Sequence, residues 1–130
     1  MTPDLRYLSF TALLTASLWI PHIVAQLVTN GPLRPPNYVD PSARPLPLWG
    51  RRADRAHINA VEAFAPFAAL VLVIQLAGKA NAATAFWSAS FFWLRLAHAV
   101  VYLLGIPYLR TVIFTLGWVC EFALFWQLFS

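Results

Sequence analysis

Charge is scarce in this sequence: only 11% of its 130 residues are charged, against 60% hydrophobic. Nine basic and five acidic side chains are too few to clothe a water-soluble domain of this size, because small domains expose much of their surface. That shortage excludes an ordinary soluble globule and points to a fold solvated by lipid. The formal net charge of +4 does not point to nucleic acid, since the basic residues are mostly arginines at the ends of apolar runs. Cysteine is nearly absent. Cys120 alone permits no intrachain disulfide, and beside Trp118, Val119 and Phe122 it reads as a buried inert thiol rather than a nucleophile. His22, His57 and His98 lack metal-site spacing, so no structural or catalytic metal is expected. There is no internal repeat and no convincing signal peptide. Met1 to Arg6 carries one acid and one base, and the apolar stretch that follows is long enough to be kept as a first helix.

What the sequence does have is four long apolar stretches. A helix needs about 20 apolar residues to cross about 30 Å of hydrocarbon. The segments Leu5 to Val28, Arg55 to Ala77, Ala82 to Leu104 and Tyr108 to Phe129 all qualify. The expected fold is therefore all-α, one integral membrane four-helix bundle over residues 1–130. Gly78-Lys79 and Gly105-Ile106-Pro107 are short breaks, which make the last three helices antiparallel neighbours. Pro21 and Pro66 lie inside spans, where each is expected to kink its helix and free a carbonyl. His22, beside Pro21, reads as a hydrogen bonder to that kinked backbone. The connection from Thr29 to Arg52 differs in kind. Pro32, Pro35, Pro36, Pro41, Pro45 and Pro47 favour extended, polyproline-like backbone there. It reads either as a plain surface connection or as a lid over a site at that face.

Orientation follows from the distribution of arginine and lysine. Arg34, Arg44, Arg51, Arg52, Arg55 and Arg110 belong to one side, and Arg6 and Lys79 to the other. The positive-inside rule puts the proline-rich connection and the turn between the third and fourth helices in the cytosol. Both termini then face the periplasm or lumen. The six tryptophans read as interfacial anchors and lipid-facing bulk.

Ionisable side chains within a span are expensive, so each needs a partner or a purpose. Arg52, Arg55, Asn59 and Glu62 are spaced three, four and three apart, which puts them on one helical face, with His57 off that stripe. Arg95, His98 and Tyr102 form a second such face. At about 1.5 Å per residue, Glu62 lies roughly 24 Å and Arg95 roughly 21 Å from the opposite end of their helices. Similar depth on adjacent helices predicts a Glu62–Arg95 ion pair or a shared ligand network. Such side chains could merely hold helices together in lipid. Converging from two helices, however, they offer guanidinium donors, an amide, a carboxylate and a phenol, a set suited to a small zwitterion. Glu121, well inside the last helix, has no obvious partner in sequence; it reads as protonated, as paired across a subunit interface or as a contact to the site, the first two being favoured.

The string Arg52-Ala-Asp-Arg55-Ala-His57-Ile-Asn59-Ala-Val-Glu62 resembles the second-helix signature of the MAPEG family, membrane-associated proteins in eicosanoid and glutathione metabolism. The string from Arg95 through His98, Tyr102, Gly105 and Pro107 to Arg110 resembles its third-helix and turn signature. The chain looks like a bacterial-type member, which implies an inner-membrane location. The resemblance implies a homotrimer that binds glutathione as co-substrate between subunits near the cytosolic face. By the same resemblance, Arg52, Arg55, Asn59, Glu62, Arg95 and His98 would bind the tripeptide. Tyr102 would complete the pocket as a catalytic residue beside Arg110, which matches the arginine proposed to stabilise the thiolate. A cation beside a thiol lowers its pKa and so raises the nucleophilic fraction at neutral pH. Lipophilic electrophiles would arrive from the bilayer, past Phe114 or Trp118. Ala63 stands where leukotriene-forming members have an aromatic residue, and His98 where some relatives have tyrosine. The implied activity is a glutathione-dependent transferase or peroxidase. The alternatives are a non-catalytic member acting in assembly or lipid contact, and a small transporter relaying charge through Glu62, His98 and Glu121. The transporter is disfavoured because no broken-helix pair is present.

Overall fold

A computed structural model describes residues 1–32 and 46–130. Arg34, Arg44 and four of the loop prolines, with the polyproline and lid readings that rest on them, lie outside the described residues. All regular structure among the described residues is helical: α1 (Pro3–Ser17), α2 (Trp19–Asn30), α3 (Leu48–Leu76), α4 (Ala82–Leu104) and α5 (Pro107–Gln127). Together they supply four segments long and apolar enough to cross a bilayer, the first being Pro3–Asn30.

The first of these segments is broken, and its sequence says why. A proline ring clashes with the carbonyl four residues earlier, which for Pro21 belongs to Ser17. There α1 ends, and the Leu18 amide falls back on the Thr15 carbonyl at 3.4 Å. The expected kink thus lies one turn before the proline. His22 does not serve the freed backbone; its Nδ1 instead faces Asp54 Oδ1 at 3.7 Å, which joins α2 to α3. Pro66, by contrast, is carried inside an unbroken α3, where it deprives the Glu62 carbonyl of its usual amide.

Helix α3 starts at Leu48, earlier than the expected Arg55. Bilayer thickness limits only the apolar part of a helix, and the polar turns carrying Arg51, Arg52 and Asp54 extend it outward. Helix α4 has the expected bounds, with its start fixed by a reciprocal cap. The Asn81 side chain accepts from the Ala83 and Thr84 amides at 2.7 and 3.1 Å, while Thr84 Oγ1 accepts from the Asn81 amide at 2.8 Å. It ends at Gly105, whose φ of 75° is left-handed.

Where the first span meets α3, the contact is made by small residues. Gly50, Ala53, Ala56 and Ala60 are buried along α3, and Ala25 of α2 is wholly buried against them. A Cβ on Gly50 would come within 2.7 Å of the Ala25 Cβ, so the two backbones approach as closely as small residues allow. Gly50→Val is therefore expected to cost about 1–3 kcal/mol by overpacking. The loss should appear as a lower thermal unfolding midpoint in detergent micelles; an unchanged midpoint would mean that this contact has slack. Further along, Phe67, Val71 and Ile74 of α3 close a core with Phe91 of α4 and Cys120 and Leu124 of α5. Phe67 and Phe91 stack at 4.0 Å between centroids. Cys120 is buried, as its neighbours suggested. The outward faces leave Leu13, Phe86, Trp93, Trp118 and Trp126 exposed, the pattern of a surface turned to lipid.

Candidate functional site

Above that core, α3, α4 and α5 diverge around Asn59. Three adjoining hollows share this residue in their walls. The first, about 180 Å³, is lined by Asn59, Glu62, Ala63, Pro66, Phe91, Arg95, Phe114, Gly117, Trp118 and Glu121. The second, about 240 Å³, is lined by Asn59, His98, Tyr102, Arg110, Thr111 and Phe114. The third, about 210 Å³, is lined by Arg55, Ile58, Asn59, Glu62 and Tyr102.

Arg95 organises the interior. It is only 5% exposed, and its Nη2 donates to Asn59 Oδ1 at 2.9 Å. The same Nη2 lies 3.4 Å from Nδ1 of His98, one turn along α4. Guanidinium has donors only, so the amide must present its oxygen, and the His98 nitrogen facing it must carry the lone pair. His98 is buried, with its ring against Tyr102 at 5.6 Å and Phe114 at 6.1 Å. Arg110, in the first turn of α5, lies over the Tyr102 ring, 4.9 Å from its centroid, a cation–π geometry.

One expectation needs revision, and one predicted residue lies apart from the others. No Glu62–Arg95 ion pair forms within 4 Å among the described residues. Counting Cα rise compared depths but not the reach of a long side chain. The buried guanidinium takes the neutral amide of Asn59, while Glu62 remains exposed on the wall of the same hollow. Arg52 shares the helical stripe yet lines none of the three hollows. Its guanidinium lies against Gly105, in the space a side chain there would fill. The other seven residues of the predicted set, Arg55, Asn59, Glu62, Arg95, His98, Tyr102 and Arg110, are brought together.

Glu121 was not part of that set, but it lines the first hollow with Arg95. The signal that could have found it is the helical spacing of Phe114, Gly117, Trp118 and Glu121, one face of α5. Phe114 and Trp118 do line this hollow. The assembled groups can hold a small polar molecule by charge and hydrogen bonds, and the first hollow adds apolar wall from Pro66, Phe91, Phe114 and Trp118.

A family model described as MAPEG family matches residues 6–130. No curated protein and no solved structure matches the chain.

Proposed function

The chain belongs to the MAPEG family and is an integral membrane protein, and from that premise we propose that it is a glutathione-dependent transferase or peroxidase acting on lipophilic electrophiles. Glutathione binds as co-substrate near the cytosolic face, between subunits of a homotrimer. Each subunit is an antiparallel bundle with its termini in the periplasm, in a bacterial inner membrane. The proline-rich connection and the Gly105 turn are cytosolic.

The observation that carries this reading is the convergence of six predicted residues on a seventh, Asn59. A tripeptide with two carboxylates and an ammonium needs cationic donors and an anionic acceptor within one small space. Arg55 and Arg95 supply the first, Glu62 the second, and Asn59 and His98 neutral partners. Arg52 acts from the rim, beside the turn it packs against. Arg110 and Tyr102 are the catalytic pair: the cation stabilises the thiolate, and the aromatic ring holds that cation in place. In conjugation the thiolate forms a carbon–sulfur bond as the leaving group departs with its electron pair. In peroxide reduction it attacks the distal oxygen, forming a sulfur–oxygen bond as the O–O bond breaks; the alkoxide takes up a proton, and a second glutathione converts the sulfenic acid to glutathione disulfide and water.

Glutathione titration of the purified protein in detergent, followed by thiolate absorbance, tests the reading. Assays with an aryl halide and a lipid hydroperoxide then separate the two chemistries. Saturable binding at or below millimolar glutathione, with turnover of either electrophile, is the expected result. No binding at millimolar glutathione would favour the assembly role instead.

A further inference from the structure

Helix α4 ends without a cation of its own. A helix C-terminus carries partial negative charge that a nearby basic residue stabilises, yet the last turn of α4 holds none. The turn amides reach two of its carbonyls, Ile106 donating to Val101 at 3.2 Å and Gly105 to Tyr102 at 3.1 Å. Pro107 has no amide to offer the Leu103 carbonyl four residues before it. The cation comes from another helix. Nη1 and Nη2 of Arg52, on α3, lie 2.7 and 2.6 Å from where a Cβ on Gly105 would stand, with Cζ nearer still. Near-equal distances about a closer Cζ mean that the guanidinium presents its planar face to the glycine, not its edge. Arg52 lines none of the three hollows, so its charge serves the turn rather than the cavity.

That turn joins the two residues of the proposed catalytic pair. Tyr102 precedes Gly105 on α4, Arg110 follows it on α5, and the Arg110 guanidinium sits 4.9 Å from the Tyr102 ring centroid. Only Gly105 and Ile106 separate the two helices. Ile106 gives α5 no side-chain cap, so the helix start that carries Arg110 has no anchor in its own cap residue. We propose that Arg52 is a positioning residue, whose guanidinium, pressed face-on against Gly105, holds the α4–α5 elbow at the angle that sets Arg110 over Tyr102. Charge and shape both matter in that contact. The cation meets the negative end of α4, and its flat face fits where any side chain at position 105 would intrude. Glycine is therefore required twice there, for a left-handed φ of 75° and for the space above it. Arg52 then acts on glutathione chemistry through Arg110, without touching the tripeptide. That last consequence rests on the proposed function; the placement of Arg110 over Tyr102 does not.

The test uses full-length protein in detergent, labelled with 3-fluorotyrosine. Its four tyrosines give four fluorine resonances, and Tyr102→Phe assigns the one wanted. Arg110→Ala should move the Tyr102 resonance, because the cation leaves the ring face. Arg52→Met should move it the same way. Gly105→Ala, which expels the guanidinium from the other side of the contact, should do so too. Tyr7, on α1, should stay in place throughout. An unmoved Tyr102 resonance in whichever of these two variants folds would overturn the inference. Movement of Tyr7 as well would mark a general rearrangement and overturn it too. Kinetics supply the second readout. Arg52→Met should lower kcat about ten- to a hundredfold, the scale of a misplacement of about 1 Å, with KM for glutathione within about twofold. A raised KM at unchanged kcat would mean that Arg52 binds the tripeptide itself, which overturns the positioning role. If the unaltered protein binds no glutathione, the proposed function falls, and the fluorine shift still decides this inference.

Discussion

Replacing Arg110 by alanine is expected to leave glutathione binding largely intact while lowering conjugation by about a hundred- to a thousandfold, the usual loss for one preorganised charge-stabilising donor. The geometry explains the split. Arg110 lines the second hollow with Asn59, His98 and Tyr102, whereas Arg55, Glu62 and Arg95 line the first and third, which Arg110 does not reach. Its removal takes away the cation nearest the proposed thiol position without disturbing most of the groups that hold the tripeptide. The thiol then returns toward its ordinary pKa, and the thiolate absorbance of bound glutathione should vanish at neutral pH. Arg110→Lys should recover only part of the rate, because an ammonium restores charge but not the planar contact with Tyr102. A persistent thiolate signal in Arg110→Ala would remove Arg110 from the catalytic role.

The second large effect concerns stability. Asn59→Leu is expected to cost about 3 kcal/mol, because it takes from the buried Arg95 guanidinium the nearer of the two acceptors its Nη2 faces and leaves only His98 Nδ1 at 3.4 Å. Arg95→Met keeps the volume and removes the charge, leaving only the Asn59 oxygen without its donor, so it should cost less, about 1–3 kcal/mol. The double variant should resemble Arg95→Met alone, since no charge is left to strand. Unfolding in mixed micelles would rank the three. If Asn59→Leu proves the milder single change, the amide is not what makes the buried charge tolerable.

Much of the scaffold was legible because punctuation in this sequence is strong. Gly105 and Pro107 fix the junction of α4 and α5 by φ and by a missing amide, and Ala82–Leu104 emerges with the bounds read from hydropathy. The break after Ser17 follows from Pro21 through a clash four residues back. The early start of α3 was hidden, because hydropathy finds the part of a helix that lipid covers and is silent on polar turns beyond it. Within the site, spacing along one helix placed Arg55, Asn59 and Glu62 on a shared face, and Arg95, His98 and Tyr102 on another. How the helices rotate against each other is set by packing, here by Phe67 on Phe91 and by small residues under the first span. Periodicity carries no record of that rotation. Hence the Glu62–Arg95 pairing gave way to Asn59, Arg52 turned to Gly105, and Glu121 joined the cavity from a helix whose polar content is low.

Asn59 is a single side chain in the walls of three hollows, and its oxygen is already committed to Arg95. Any occupant that draws on that amide alters what Arg95 can offer in the neighbouring space. Two molecules bound side by side would therefore exchange influence through a single hydrogen bond. Thermodynamic linkage makes the exchange symmetrical: whatever factor one occupant imposes on the affinity for the other is imposed on its own affinity in return.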